Sequence, residues 1–124
     1  MIKTGLMTIA AVLILAGQVF AATIGISSAE AKKLLAKGNI FLLDVRTPQE
    51  FSQARLSGAV LIPTGEFERR INEVPKNKPI LVYCAVGSRS KSVADLLTQR
   101  GYKEIYHMTD GIVGWYRNGF PIQR

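Results

Sequence analysis

The sequence predicts an α/β domain built on a mostly parallel β-sheet, and two observations support this fold class. Residues 40–45 and 80–83 are almost entirely apolar, which is the pattern of strands buried on both faces of a parallel sheet. Strand-like segments alternate with segments of helical spacing along most of the chain. With 124 residues, of which 48% are hydrophobic, the chain is long enough for one domain with one core.

The first strand and the first helix are predicted near the start of this domain. Ile24 and Ile26 form a brief strand. Ser27 and Glu30 then match a capping box, in which each side chain bonds the backbone of the other residue. Gly38 is expected to end the helix, because glycine tolerates the left-handed backbone that often follows a last helical turn.

The second strand, residues 40–45, leads into a short helix. Thr47 can cap this helix, with Pro48 in its first position and Glu50 in the capping-box position. Arg46 and Glu50 are then close enough to pair around the turn. We expect this pair to brace a site at the carboxyl end of the strand, and the alternative is an ordinary surface ion pair that contributes little.

The rest of the chain continues the alternation. The predicted elements are, in order, a short strand at residues 58–63, a short polar helix at 66–71, the strand at 80–83, a helix from about Ser90 to Gly101, a strand at 104–108 and a last helix that Asp110 can cap. Ligands of parallel α/β sheets bind outside the carboxyl ends of the strands, and Cys84 lies at such an end.

Cys84 is the only cysteine, and it opens a loop that contains Gly87, Ser88 and Arg89. Such a turn can direct backbone N–H groups and a helix N-terminus at one sulfur atom, which favours a thiolate and an anionic ligand. We therefore interpret Cys84 as a nucleophile for a small anionic substrate. The alternative is a small buried hydrophobic residue without chemistry. The glycine, serine and cation that follow favour the nucleophile, since a purely structural strand end has no need of them.

Several other kinds of site are not expected. One cysteine and one histidine cannot form a structural zinc site, no P-loop or dinucleotide-binding glycine pattern is present, and we expect neither a metal nor a cofactor. The net charge is +7, but the cations are dispersed rather than interleaved with aromatic residues, so nucleic-acid binding is not expected. A papain-like pair of Cys84 and His107 is conceivable, but no partner that would orient His107 is evident.

Residues 1–21 have the features of a signal peptide. Lys3 supplies a positive charge, and residues 6–16 form an apolar segment that is short for a membrane span. Residues 19–21 include the small side chains that a signal peptidase reads, so cleavage is expected before Ala22.

Cleavage there would leave an exported, for example periplasmic, domain of residues 22–124 with no stable membrane association. The alternative is an uncleaved N-terminal membrane anchor over residues 5–22, which contain no charge. Export implies an oxidising compartment, in which an exposed and inert Cys84 would be oxidised. Either deep burial or a function of Cys84 is therefore expected. No coiled-coil pattern appears, and a monomer is the default expectation.

Several short motifs together resemble a single rhodanese (sulfurtransferase) domain from about residue 26 to residue 122. The matching segments are residues 43–46 with Glu50 and Phe51, 57–59 with 62–63, 84–89, 101–102, 110–112 with Trp115, and 119–121. The resemblance implies a three-layer α/β/α domain with a central, mostly parallel five-stranded sheet. It also implies a six-residue active loop that opens with the catalytic cysteine, here Cys84.

The family chemistry implied for Cys84 is sulfur transfer. The cysteine would take a sulfane sulfur from a donor such as thiosulfate, become a persulfide, and pass the sulfur to cyanide or a thiol. Arg89 would steady the anionic donor and the departing sulfite. The backbone N–H groups that would cradle the sulfur belong to Ala85, Val86, Gly87, Ser88 and Arg89.

Departures from the family pattern concern the donor. Ala85 replaces an arginine of some thiosulfate-preferring members, and Ala54–Arg55 and Asp110 replace common family residues, so persulfide chemistry is expected but a preference for thiosulfate is not. One alternative function is a non-enzymatic rhodanese-like binding module, which the presence of Cys84 disfavours because such modules usually lack the cysteine. A rhodanese-fold phosphatase is the other. Related phosphatases place one more residue between cysteine and arginine than the four residues between Cys84 and Arg89, so the smaller loop favours sulfur transfer.

Overall fold

The computed structural model describes residues 23–124. The signal peptide expected over residues 1–21, its cleavage site before Ala22, and the alternative anchor at residues 5–22 lie outside the described residues. Between residues 23 and 124, none of the helices has the length and apolar character that crossing a membrane requires.

Five short strands form one sheet at the centre of the domain. They are β1 (Thr23–Ile26), β2 (Phe41–Asp44), β3 (Val60–Leu61), β4 (Ile80–Tyr83) and β5 (Ile105–Met108). Their order across the sheet is β1-β5-β4-β2-β3, and every pairing of neighbours is parallel. The prediction of a five-stranded, mostly parallel sheet is confirmed.

Helices cover both faces of this sheet. They are α1 (Ser28–Ala36), α2 (Pro48–Gln53), α3 (Phe67–Arg70), α4 (Ser88–Gln99) and α5 (Gly111–Arg117), with 3-10 turns at Thr64–Glu66 and Ile71–Glu73 on either side of α3. The capping boxes predicted at the starts of α1 and α2 are both present. Of the polar helix predicted at 66–71, Phe67–Arg70 is α-helical, and α4 begins at Ser88 rather than at Ser90.

The apolar runs are continuous because alternate residues enter two separate cores. On the α4 face, Leu43, Val82 and Ile105 pack with Ala94 and Leu97 of α4. On the opposite face the core contains residues of the same strands together with residues of α1 and α5, namely Leu42, Leu81, Tyr83, Met108, Ala31, Ile112 and Trp115. The sheet is thus the middle of three layers.

Asp110 precedes α5 as expected, but its side chain does not cap that helix. Its Oδ1 accepts a hydrogen bond from the Ser28 N–H at 2.8 Å, and its Oδ2 accepts one from the Ser28 hydroxyl at 2.7 Å. The prediction that Asp110 caps α5 is therefore wrong, because its carboxylate bonds Ser28 at the start of α1. A carboxylate is favourable at this place because Ser28 begins α1, and a helix N-terminus attracts negative charge. The contact ties α5 to α1.

The strand order creates a crevice between the carboxyl ends of β2 and β4. From β2 the chain continues outward to β3, whereas from β4 it continues in the opposite direction to β5. Such a reversal leaves a crevice in open α/β sheets, and ligands bind there. Asp44 ends β2 and Cys84 follows β4, so the segments after these two residues border the crevice.

Candidate active site

The Cys84 side chain is fully buried directly after β4, the central strand. Its Sγ atom accepts hydrogen bonds from the backbone N–H groups of Gly87, at 3.1 Å, and Ser90, at 3.3 Å. Ser90 is the third residue of α4, where a backbone N–H has no partner within the helix. Gly87 lies in the N-cap position and has no side chain to bond it. The sulfur atom therefore takes the role of the capping oxygen of α4.

These surroundings lower the pKa of the Cys84 thiol below its ordinary value. Burial by itself raises the pKa of Cys84, because it disfavours the charged form. Hydrogen bonds from the backbone and hydroxyl of Ser90 and from the N–H groups of Gly87 and Val86 lower the pKa and outweigh burial. The Ser90 hydroxyl also lies 3.0 Å from the Gly87 carbonyl oxygen, so its one proton can serve either that oxygen or the sulfur. The site favours a thiolate.

Two glycines allow the loop to wrap around the sulfur. Gly87 has a φ of 104°, and a Cβ atom there would overlap the carbonyl oxygen of Thr109. Gly111 has a φ of 60°, and a Cβ atom there would overlap the carbonyl oxygen of Ala85. Any larger residue at either position would need a strained backbone and would push neighbouring backbone away.

The first turn of α5 holds the carbonyl groups of the loop. The Ile112 N–H donates to the Cys84 carbonyl oxygen at 2.9 Å, and the Val113 N–H donates to the Ala85 carbonyl oxygen at 3.1 Å. Because these carbonyl groups point at α5, the N–H groups that follow in the loop are free to turn toward the sulfur. The contact also satisfies N–H groups at the start of α5 that would otherwise lack partners.

Arg89 does not extend into open solvent but pairs with Glu50 across the crevice. Its Nη1 and Nη2 atoms donate to Oε1 and Oε2 of Glu50 at 2.8 Å and 3.0 Å. Glu50 Oε1 also accepts hydrogen bonds from the N–H and the hydroxyl of Thr47, each at 3.1 Å. The hydrogen bonds from Arg89 lower the pKa of Glu50 to about 2. Partial burial acts in the opposite direction, and the bonds from Thr47 lower the pKa further. The pair therefore stays ionised at any ordinary pH.

The predicted ion pair between Arg46 and Glu50 is wrong, because each of the two residues pairs with another one. Arg46 instead turns back onto Asp44, with Nε at 3.0 Å from Oδ1 and Nη2 at 2.8 Å from Oδ2. Its Nη2 also donates to the Ala54 carbonyl oxygen at 2.6 Å. Asp44 is completely buried, and a buried carboxylate needs a close cation, so it takes the guanidinium that is nearest in the chain. The brace at the end of β2 is this buried pair.

The six loop residues singled out in the sequence lie together at the crevice, with different exposure. Gly87 is buried beside Cys84, Ala85 and Arg89 are half-buried, and Val86 and Ser88 are exposed. Ser90, which donates to the sulfur, was not among them. It could have been found by starting α4 at Ser88, because the N–H of a third helical residue is left free to bond a group before the helix.

His107 lies on β5, beneath α4, and makes no hydrogen bond to Cys84 within residues 23–124. The residue is 8% exposed, and its Nδ1 has no hydrogen-bond partner in that part of the chain. Burial lowers the pKa of His107, and the charge of Lys91 lowers it further against the opposite effect of Asp95. A papain-like pair with Cys84 is therefore not formed. Within the same residues, no group of three or more potential metal ligands is present.

Comparisons with known proteins agree with this geometry. The Rhodanese family, described as a rhodanese-like domain, matches residues 27–118. A sulfurtransferase of Allochromatium vinosum is 32% identical over 96 residues, which are 77% of this chain and 90% of that protein. The thiosulfate sulfurtransferase GlpE of Tolumonas auensis is 33% identical over 96 residues, again 77% of this chain and 90% of that protein.

The solved structures include a rhodanese-related protein from Thermoplasma volcanium with a TM-score of 0.75 and 27% sequence identity, covering 81% of this chain and 97% of that one. The family match covers most of the chain. The chain also has the parallel sheet and, at the crevice, the loop that begins with Cys84. This chain belongs to the rhodanese-like domain family.

Proposed function

We propose that the protein is a sulfurtransferase that carries a sulfane sulfur on Cys84. The observation that carries this proposal is the pair of N–H groups, from Gly87 and Ser90, that bond one sulfur atom at the start of α4. A thiolate stabilised in this way is a nucleophile at neutral pH without a histidine base. The relatives at 32% and 33% identity are named sulfurtransferases, which supports the same activity here.

The reaction takes place in two displacement steps. The Cys84 thiolate attacks the outer sulfur of the donor, and the S–S bond of the donor breaks. Its electron pair leaves with sulfite, if the donor is thiosulfate, or with a thiolate, if the donor is an organic persulfide. A thiol or cyanide acceptor then attacks the outer sulfur of the Cys84 persulfide, and the pair of that S–S bond returns to Sγ. The N–H groups stabilise Sγ both when it attacks and when it leaves.

The loop residues that follow Cys84 are proposed to bind the transferred sulfur and the reacting end of the substrate. These residues are Ala85, Val86, Gly87, Ser88 and Arg89. Val86 is 60% exposed and lies at the mouth of the loop, where a small-molecule donor or acceptor would enter. The chemistry requires only small molecules and no cofactor.

Export is proposed on the sequence pattern alone. Residues 1–21 would be removed as a signal peptide, and residues 22–124 would be the exported, periplasmic domain. N-terminal sequencing of material recovered outside the cytoplasm tests this, since a first residue of Ala22 supports cleavage and a first residue of Met1 supports the anchor.

Intact-mass measurement tests the sulfurtransferase directly. The protein is incubated with thiosulfate, or with a glutathione persulfide, and then weighed. We expect a gain of one sulfur atom that cyanide removes and that the Cys84→Ser variant does not show. If no donor produces this gain, the proposal fails and the binding module becomes the better interpretation. Rapid hydrolysis of an aryl phosphate by the wild type but not by Cys84→Ser would favour the phosphatase.

A further inference from the structure

We infer that Glu50 sets the donor preference of this site, because it neutralises Arg89 and so favours an organic persulfide over dianionic thiosulfate as the sulfur donor. This inference rests on the proposed sulfurtransferase function and adds the class of donor to it. It assigns Glu50 a positioning role, since Glu50 acts on the substrate only through Arg89.

The ion pair is built so that Arg89 is not easily released to a substrate. Both Nη atoms of Arg89 face both carboxylate oxygens of Glu50, the arrangement in which an arginine–carboxylate pair is strongest. Glu50 is itself held by the capping box with Thr47 and cannot follow Arg89 toward a ligand. The pKa of Arg89 is raised mainly by the bonds to Glu50, against burial, with smaller effects from the charges of Glu50, Cys84 and Asp44. Arg89 lies in the first turn of α4, the helix whose start bonds the Cys84 sulfur, but its charge is balanced by Glu50.

The other cations of the two segments that meet at the crevice are balanced as well. Arg46 pairs with Asp44 at 2.8 Å, and Lys91, in the first turn of α4, pairs with Asp95 at 3.0 Å. Within the described residues 44–50 and 84–91, every Arg or Lys side chain therefore has its own carboxylate. Thiosulfate carries two negative charges, and the cations of these two segments that it would meet beside the thiolate are each balanced by a carboxylate. Arg117 and Arg124, which have no carboxylate partner within residues 23–124, line the neighbouring groove instead. Like charges repel each other more as the charge on the donor increases.

An apolar surface lies next to the same loop and suits an organic substituent. Val86 and Tyr116 are each 60% exposed, and Val113 is 36% exposed, while the Val113 N–H bonds the loop at Ala85. Val113 and Tyr116 also line a groove of about 430 Å³, whose charged members are Arg46, Arg117 and Arg124. An organic persulfide has a carbon skeleton to place against such a surface, whereas the sulfonate group of thiosulfate has none.

The step with an organic persulfide balances without any further reactant. The Cys84 thiolate attacks the terminal sulfur of R–S–SH, and the bond between the two donor sulfurs breaks. The electron pair leaves on R–S⁻, which takes up the proton of the donor to become the thiol. Cys84 then carries the transferred sulfur as a persulfide.

The Glu50→Gln variant tests the inference. Glutamine has the same shape and can still complete the capping box, so α2 keeps its start while the charge on Arg89 is released. We measure kcat/KM for thiosulfate and for cysteine persulfide, which carries one negative charge fewer, and we compare their ratio between the variant and the wild type. The ratio of thiosulfate to persulfide should rise about tenfold in Glu50→Gln, and this gain should shrink as salt screens the freed charge.

Glu68→Gln is the matched control. It also removes one carboxylate from an arginine, because Glu68 pairs with Arg100 at 2.9 Å on the surface, and it changes the net charge equally. Its donor ratio should equal that of the wild type. The double variant Glu50→Gln with Arg89→Gln should lose the gain, because the gain depends on the freed guanidinium.

The salt dependence of the two proteins adds a second measurement, and turnover with the persulfide donor shows that Glu50→Gln is folded. Because Glu50 balances Arg89 in the wild type, kcat/KM of the wild type for thiosulfate should fall less with salt than that of Glu50→Gln. An equally steep fall in both proteins, or an unchanged ratio in Glu50→Gln, would overturn the inference while sulfur transfer itself stands. No Cys84-dependent sulfur uptake from either donor would instead overturn the proposed function.

Discussion

Replacing Gly87 by alanine changes the one residue of the loop that both bonds the sulfur and has a left-handed backbone. Gly87 has a φ of 104° and donates its N–H to Cys84 Sγ at 3.1 Å. A Cβ atom would overlap the carbonyl oxygen of Thr109 and would lie 3.0 Å from the carbonyl carbon. Both of these are backbone atoms, which cannot rotate away as the end of a side chain can.

Two costs therefore add up in Gly87→Ala. A left-handed backbone costs an alanine about 1–2 kcal/mol. Relief of the overlap by moving packed backbone costs a further ~1–3 kcal/mol, as in overpacked cores. We expect the free energy of unfolding to fall by about 2–5 kcal/mol, a large part of the stability of a small domain. The movement also shifts the Gly87 N–H off the sulfur, so the pKa of Cys84 should rise.

Two other glycines separate the two costs. Gly58 has a φ of 81°, and a methyl group added there would meet no packed atom within 4 Å, so Gly58→Ala should cost only the backbone strain of about 1–2 kcal/mol. Gly65 has neither a left-handed φ nor a packed neighbour within 4 Å, so Gly65→Ala should change stability by no more than ~0.5 kcal/mol. Urea unfolding measures all three, and the pH dependence of alkylation by iodoacetamide reports the pKa of Cys84. A cost for Gly87→Ala no greater than that for Gly58→Ala would refute the argument.

Two further predictions concern Ser90 and His107. Ser90→Ala removes a hydroxyl that lowers the pKa of Cys84, so alkylation of Cys84 should need a higher pH. Ser92→Ala is the control, because the Ser92 hydroxyl bonds the Ser88 carbonyl oxygen on an exposed face; it should leave the pH dependence of alkylation unchanged. An identical shift in both variants would contradict a specific role for Ser90. Burial lowers the pKa of His107 from its ordinary 6.5, so below pH 6.5 the unfolded chain binds more protons than the folded one. The free energy of unfolding should therefore fall as the pH falls through this range. Urea unfolding between about pH 7 and 5 should show a smaller fall for His107→Leu than for the wild type. Equal slopes of unfolding free energy against pH in the two proteins would contradict the argument.

Most of the secondary structure could be predicted because it depends on neighbours within one or two turns. The capping boxes of Ser27 with Glu30 and of Thr47 with Glu50 are read from residues three positions apart, and both are present. The predicted start of α4 is two residues late, because the left-handed Gly87 that begins this helix depends on the backbone of Thr109 in another loop.

The partners of charged side chains could not be predicted in the same way. Local spacing predicts Glu50 beside Arg46, but Glu50 binds Arg89, and it predicts Asp110 as the cap of α5, but Asp110 bonds Ser28. Alternative ion pairs at a surface differ by only about 0–1 kcal/mol. Their choice follows from which segments become neighbours, and local spacing carries no information about that.

The fold class, the order of the elements and the cysteine loop follow from the amino-acid sequence alone, since the apolar spacing and the glycines of that loop depend on short stretches of chain. The packing of the sheet was needed to show that β4 lies beside β2, which brings the segment after Asp44 against the segment after Cys84. That adjacency places Glu50 against Arg89 and opens the crevice at the strand reversal. The hydrogen bonds to the Cys84 sulfur are thus a local property of the chain, whereas the ion pair beside them depends on the order of strands in the sheet.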